Sequence, residues 1–348
     1  MMKLWKNKDI ANAMAGALVA LSMTAGGLAN AEERPKVDDS PVNVTIAGYS
    51  SGGQVSVFGE GVVDAVRRTY SGSSIIYEPG NPAGALEYLK SERRPFALVS
   101  TVEPKMAYAG SAPFREKYPP GTVKGVLNAS PGVFDLMVYA RADFLDEYGV
   151  KSFRDLIEKK VPMRVSINQP GNLWAREHVR ALFSYFGKTP EDVEAWGGEL
   201  VPQPTGASND LMRDGRLDVI ITGGATPSGK VVELGSVMDL AFVELSDELV
   251  QYVADELGAS VGSIPAGSYE FVDEDLATVS SSFMIVAGPA ATYEDAYKLA
   301  KSMYEQMGHY RSSHRALQKA SREQLPNVSY LELHPGAKAF YQEVGLID

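Results

Sequence analysis

The chain has 348 residues, with 33 Lys and Arg against 44 Asp and Glu, a formal net charge of −11 and no cysteine. Without thiols there are no disulfides, no thiolate metal site, no cysteine nucleophile and no attachment through a lipidated N-terminal cysteine. The acidic balance opposes contact with nucleic acid or anionic lipid, so an anionic ligand has to be held by local donors.

The first 31 residues differ from the rest. Lys3, Lys6 and Lys8 precede an apolar stretch over residues 11–28, which runs into Ala29, Asn30 and Ala31. A basic start, an apolar middle and small residues at the end are the order of a secretory signal peptide, with cleavage expected after Ala31 and a periplasmic destination. Asn12, Ser22, Thr24 and several glycines make the stretch a poor permanent span. Its removal leaves 317 residues with 30 basic and 43 acidic side chains, a net charge of −13. That length exceeds what one core comfortably serves, so two lobes are expected.

Val42, Val44 and Ile46 alternate with polar or small neighbours and lead to Gly48, which predicts a strand feeding a glycine turn. Val55, Phe58, Val62 and Val66 then fall on one face of a helix. Residues 74–77 predict a second strand, after which Asn81 suits a helix cap and Pro82 a first helical position. A third strand is expected at 96–100. An apolar stretch at 133–140 leads to Ser152 and Asp155, spaced as a capping box.

The alternation then starts again. Residues 161–167 predict a strand, 169–172 a turn, and Ala175, Val179, Leu182, Phe183 and Phe186 a helix face. Thr189 to Asp192 predicts another cap; strands are expected at 217–222 and 238–245, and a helix carries Leu249, Val250, Val253 and Leu257. A late strand at 278–286 precedes a helix capped by Thr292, with Ala296, Leu299, Ala300, Met303 and Met307 on one face. A short helix with Phe340 and Tyr341 ends the chain. Two successive α/β sets predict two lobes with mostly parallel sheets and a ligand cleft between them. The expected lobes are residues 40–135 with 285–348, and 140–282, joined by strands near 136–139 and 280–286.

Gly48, Tyr49, Ser50, Ser51 and Gly52 match the G-x-S-x-G of a hydrolase nucleophile elbow in a strand-turn-helix setting. Ser50 would be the nucleophile, and His178, His309, His314 and His334 all follow it in the required order. Against this, Ser50 follows the first strand of the mature chain, which leaves no earlier strand and loop to donate an oxyanion-hole N–H. The competing reading makes Ser50, Ser51 and the N–H groups around Gly53 and Gln54 a cradle for an anion at a helix N-terminus. Gly80 with Asn81, and the turn from Gln169 to Asn172, offer the same chemistry. Each alone is an ordinary capped turn more often than a site; three together predict a cleft for a carboxylate. Trp174 suits stacking on a ligand as well as packing in the core. Thr222 and Thr226 flank a glycine turn that suits a cleft wall. The histidines show no metal-ligand spacing, Asp273, Glu274 and Asp275 read as a solvated acidic turn, and no phosphate loop or dinucleotide fingerprint is present, so no cofactor is expected.

With these pieces in order, residues 46–53, 132–140, 152–156, 168–171, 214–218, 264–269 and 333–337 resemble the TAXI-type solute receptors of TRAP transporters over most of the mature chain. The resemblance implies a two-lobed type II periplasmic binding protein fold, capture of a small solute by lobe closure, and delivery to membrane permease subunits driven by an ion gradient. It implies no catalysis. The chain departs from the family near the ligand: Gln54, Val55 and Ser56 stand where a hydroxyl and tyrosines are common, Asn81 where a serine is, Gly84 where an asparagine is, and Asn172 where a serine is. The family's frequent ligands, glutamate and related dicarboxylates, therefore do not transfer with the fold. A receptor for a sensor protein or for an ATP-driven transporter has the same sequence features.

Overall fold

The strands read from the sequence join one ten-stranded sheet in a computed structural model that describes residues 35–50 and 54–348. The predicted signal peptide lies outside the described residues. The strands are β1 (Thr45–Ala47), β2 (Ile76–Glu78), β3 (Phe96–Ser100), β4 (Lys124–Arg141), β5 (Arg164–Ser166), β6 (Glu199–Val201), β7 (Val219–Gly224), β8 (Leu240–Phe242), β9 (Ser260–Ile264) and β10 (Leu276–Ala287). Their order is β2-β1-β3-β10-β4-β7-β5-β6, with β8 added to β4 and β9 to β10.

Two strands hold this order together. β4 has 18 residues and β10 has 12, and they run antiparallel through both halves. At one end Lys124 to Leu127 pair with Ile285 to Ala287, and β10 carries β3 on its other side. At the other end β4 leaves β10 to pair with β7 and β8, while β10 pairs with β9. The register shifts around Ser281 and Phe283, where the strands pass from one half-sheet to the other. The connecting strands expected at 136–139 and 280–286 are parts of β4 and β10.

The expectation of mostly parallel sheets is corrected. β1 pairs in parallel with β2 and β3, and β5 with β6 and β7, but every pairing of β4 and β10 is antiparallel. Strands that serve both halves enter each against the run of its βα units. Their side chains alternate between two cores, as the period of two requires. Met137 and Tyr139 enter a smaller core with Ile220, Phe242 and Tyr269, whereas Leu136, Val138 and Ala140 enter the main one.

Three of the four predicted caps form, whereas at 189–192 the short helix Asp192–Ala195 starts from Glu191 without a side-chain cap bond. Asn81 accepts from the Gly84 N–H and Pro82 opens the helix Pro82–Lys90. Ser152 and Asp155 make a reciprocal capping box on Phe153–Glu158, and Thr292 accepts from the Asp295 N–H at the start of Tyr293–Glu305. The closing helix is Pro335–Glu343. A Cβ at Gly336 would stand 2.0 Å from the Tyr293 carbonyl oxygen, so only glycine lets these two helices approach as they do. Gly336→Ala is expected to lower stability by about 1–3 kcal/mol through overpacking, read as an earlier urea midpoint; an unchanged midpoint contradicts this packing.

Candidate functional site

The parallel strands on both sides of the crossing end toward one cleft of about 1590 Å³, and their following helices begin there. A βα unit places the helix start just beyond the C-terminal end of its strand, so this convergence follows from topology. After β1 come Tyr49 and Ser50 and the helix Gln54–Thr69; after β2, Gly80 and Asn81. From the other half come Asn168, Gln169 and Asn172 after β5, Pro204 and Thr205 after β6, and Thr222 to Lys230 around the end of β7. All line the cleft.

Of the residues singled out from the sequence, Ser50, Gly80, Asn81, Gln169, Asn172, Trp174, Thr222 and Thr226 are therefore brought together. Ser51 and Gly53 lie outside the described residues. Gln54 opens its helix.

The second half supplies the denser polar cluster. Asn168 sits at φ 64°, a left-handed conformation that asparagine tolerates, and is buried. Its Oδ1 accepts from the Gln169 N–H at 2.9 Å and from Asn172 Nδ2 at 3.2 Å. Its Nδ2 approaches Thr222 Oγ1 at 3.3 Å and Thr205 Oγ1 at 3.4 Å, and the two threonine hydroxyls share a 2.7 Å bond. Asn172 caps the helix Leu173–Ser184 by accepting from the Ala175 N–H. That leaves Leu173 and Trp174 N–H at helical positions without intrahelical carbonyl partners. The helix Thr205–Arg213 presents Thr205, Gly206 and Ala207 N–H in the same way, because Pro204 at its cap has no side-chain acceptor.

In the first half, the motif glycine Gly48 has a packing reason, since a Cβ there would come within 2.5 Å of the Tyr77 hydroxyl. Tyr77 donates to the Tyr49 carbonyl at 2.9 Å. Tyr49 donates at 2.8 Å to Glu103, a buried carboxyl that also accepts from the Ser100 N–H and hydroxyl. Desolvation raises the Glu103 pKa against the lowering effect of these donors.

The cleft floor is aromatic. Phe283 touches Tyr49 edge-on at 5.5 Å and Phe134 at 5.1 Å, and Phe134 meets the edge of Trp174 at 5.1 Å. Trp174 is 2% exposed; its ring is stacked on His178 at 3.8 Å and its Nε1 donates to Ser281 on β10 at 2.8 Å. It thus ties the helix Leu173–Ser184 to the crossing and shows the cleft only a sliver. His178 Nδ1 bonds the Trp174 carbonyl at 2.7 Å, which fixes the neutral tautomer with its proton on Nδ1.

Several lining residues were not anticipated, among them Asp135, Asn168, Thr205 and the cationic Lys230, Arg315 and Lys319. Asp135, 6% exposed, lies on β4 at the crossing and accepts from Thr226 Oγ1 at 2.5 Å and from the Ser280 hydroxyl. Asn168 and Thr205 complete the cluster around Thr222. The histidines proposed as hydrolase partners have other work in three cases: His178 holds Trp174, His309 bonds Asp64 at 2.6 Å, and His334 accepts from the Gly336 N–H. Among the described residues no cluster of three or more His, Cys, Asp or Glu side chains suits a metal ion, and no helix is long and apolar enough to cross a membrane.

The sequence matches the model of the NMT1-like family over residues 46–345. The chain belongs to the NMT1-like family. This NMT1-like chain also shares its fold with two solved structures. MatC (Rpa3494) from Rhodopseudomonas palustris, with bound malate, superposes with a TM-score of 0.51 at 13% identity, over 88% of this chain and 97% of MatC. PhnD1 from Prochlorococcus marinus, in complex with methylphosphonate, gives 0.50 at 9% identity, over 88% of this chain and all of PhnD1. The two-lobed α/β binding-protein fold is therefore the fold of this NMT1-like protein.

Burial lowers the His178 pKa to about 4. The unfolded chain then binds more protons than the folded one between that value and the ordinary 6.5, so stability is full above pH 6.5 and falls as pH drops toward 4. His178→Gln is expected to reduce this slope, by at most ~1.4 kcal/mol per pH unit, in urea melts at pH 7, 6 and 5. An identical slope in the variant would show that His178 is not held neutral.

Proposed function

We propose that this protein is an extracytoplasmic solute receptor, exported by its first 31 residues, that captures a small carboxylate or amino-acid-like solute and delivers it to the membrane permease of a TRAP-type transporter as a TAXI-type member. The bodies that close on the solute are residues 40–135 with 285–348, and residues 140–282. The observation that carries this reading is the convergence of helix starts from both half-sheets on one cleft. Unpaired N–H groups and the helix dipole favour negative charge there by roughly 0.3 to 1 kcal/mol per helix at exposed sites. The chain's net charge of −11 opposes any anion at long range, so such local donors are what an anion needs.

Two further facts support the reading. The volume of about 1590 Å³ exceeds the roughly 300–1,000 Å³ typical of small-molecule sites, as a cleft that narrows on closure would. The proteins that share the fold, MatC and PhnD1, are described with malate and with methylphosphonate, both small anions.

A thermal-shift screen of residues 32–348 against carboxylates, amino acids and phosphonates tests the proposal. A true ligand at a hundredfold over its Kd adds about 2.7 kcal/mol, which moves the midpoint by several degrees. Asn172→Ala, which removes a cap and a partner of Asn168, is expected to weaken binding about tenfold or more, the worth of one charge-assisted contact. No shift with any anion, in protein free of copurified ligand, would contradict the receptor reading. A fluorophosphonate adduct on Ser50 would replace it with hydrolysis.

A further inference from the structure

Outside the cleft, the two proposed bodies also meet along the helix Val102–Ala109 of the first. In the second body the helix Asp247–Leu257 ends at Gly258, which takes the left-handed conformation at φ 67°. The last carbonyls of a helix have no partners within it. Here four successive ones are taken by side chains of the first body. Lys105 Nζ donates to the Asp255 and Glu256 carbonyls, both at 2.7 Å, Thr101 Oγ1 to Leu257 at 3.0 Å and Ser329 Oγ to Gly258 at 2.9 Å. The Lys105 ammonium also meets the negative end of the helix dipole.

The fit is close. Ser329 reaches Gly258 from a left-handed backbone at φ 58°, a conformation that costs a serine energy and persists only where its surroundings hold it. The Tyr330 hydroxyl donates to the Thr101 carbonyl at 2.6 Å, and its ring lies so near Gly258 that a Cβ there would stand 2.8 Å from Cε1. Past the far end of the helix Val102–Ala109, Arg176 of the second body donates from Nη2 to the Ala112 carbonyl at 2.6 Å. This helix is therefore tied to the second body at both ends, and Thr101, Lys105, Ala112, Arg176, Ser329 and Tyr330 all lie outside the lining of the cleft.

We propose that this docking is a latch that holds the empty cleft open, made in the open form and broken as the bodies close. The inference rests on the closing bodies named above and adds the contact that opposes their closure. The width of the cleft, about 1590 Å³, puts these bonds in the open form. A rotation about the crossing leaves in place only the points on its axis. The helix of eight residues spans about 12 Å, with bonds at both ends, so all of them survive a rotation only if that helix is itself the axis. The chain passes between the bodies through β4 and β10 instead, and closure parts at least one end. A contact made in one state alone adds to the stability of that state, and a solute that closes the cleft has to overcome it. A pivot kept in both states would use the same bonds but leave the balance of open and closed forms unmoved when one is removed.

The test uses the empty protein, residues 32–348 shown by native mass spectrometry to hold no ligand. The chain has no cysteine, so Glu60→Cys and Glu233→Cys, exposed positions on the cleft walls of the first and second bodies, take a pair of spin labels and nothing else does. Double electron–electron resonance between the labels reads the width of the cleft. Lys105→Met is expected to raise the ratio of closed to open molecules about tenfold or more, as loss of hydrogen bonds from a charged donor implies, and to bring up a shorter distance. Arg176→Met, at the other end, is expected to move the ratio in the same direction, and the two together further. Lys105→Arg, which keeps a charged donor, is expected to restore the wild-type distance.

Distances unchanged in Lys105→Met, in Arg176→Met and in their double variant would overturn the latch and leave the receptor reading standing, because no solute enters the measurement. So would a longer distance, or one that only broadens, as a loosened pivot gives. Urea melts of the same variants separate a latch from an ordinary stabilising contact, which lowers the midpoint with the distance unmoved. Should Lys105→Met not fold, Arg176→Met decides, since that side chain is 40% exposed. Failure of the anion screen would overturn the receptor reading and not the latch.

Discussion

The antiparallel pair β4 and β10 is the constraint on which the rest of this molecule depends. Both strands belong to both half-sheets, and parallel sets are added outward from them, β3, β1 and β2 on one side and β7, β5 and β6 on the other, while β8 and β9 lie antiparallel on β4 and β10. Each set ends toward the crossing, and each βα unit starts its helix there. Backbone N–H groups that no helix can satisfy internally then face the cleft, beside the cationic residues Lys230, Arg315 and Lys319. Side chains refine this: Asn81 and Asn172 fix the helix starts, and the cluster of Asn168, Thr205 and Thr222 stiffens one wall. The crossing itself carries Asp135, Ser280, Ser281 and Phe283, so the floor of the cleft and the joint between the halves are the same residues.

That coincidence links binding to motion in physical terms. A solute held only by one half would not favour closure, since a ligand shifts a conformational equilibrium only by its differential affinity for the two states. Here donors face the cleft from both halves, and Trp174 ties one helix start directly to Ser281 on β10. The neutral His178 that supports Trp174 makes this contact dry and rigid.

Much of the fold was legible in the sequence because its signals are local. The alternation around Ile46, the Asn81-Pro82 start and the box from Ser152 to Asp155 each lie within a few residues; the two helix starts formed as read, and the alternation gave a shorter strand, Thr45–Ala47. The parts that were missed have no local signal. The first half of β4 is interrupted by Gly125, Asn128, Ser130, Pro131 and Gly132, and β9 reads Ser-Val-Gly-Ser-Ile; both are strands only because β10 lies beside them. The helix start at Thr205 was overlooked since Pro204 offers no capping side chain. Asp135 could not be paired from sequence, because its partners lie 91 and 145 residues away. The local reading of Trp174 gave stacking and core packing equal standing, and its bonds to Ser281 and its stack on His178 depend on chain segments over which sequence spacing says nothing.

The proposed closure of the cleft on its solute is open to direct measurement. Small-angle X-ray scattering of residues 32–348 tests it most directly, with and without a saturating amount of the compound that gives the largest thermal shift. Closure gives a smaller radius of gyration in the saturated protein and a return to the starting curve after dialysis. A scattering curve unchanged at saturation would contradict closure and leave a rigid binding protein whose two halves do not move on each other.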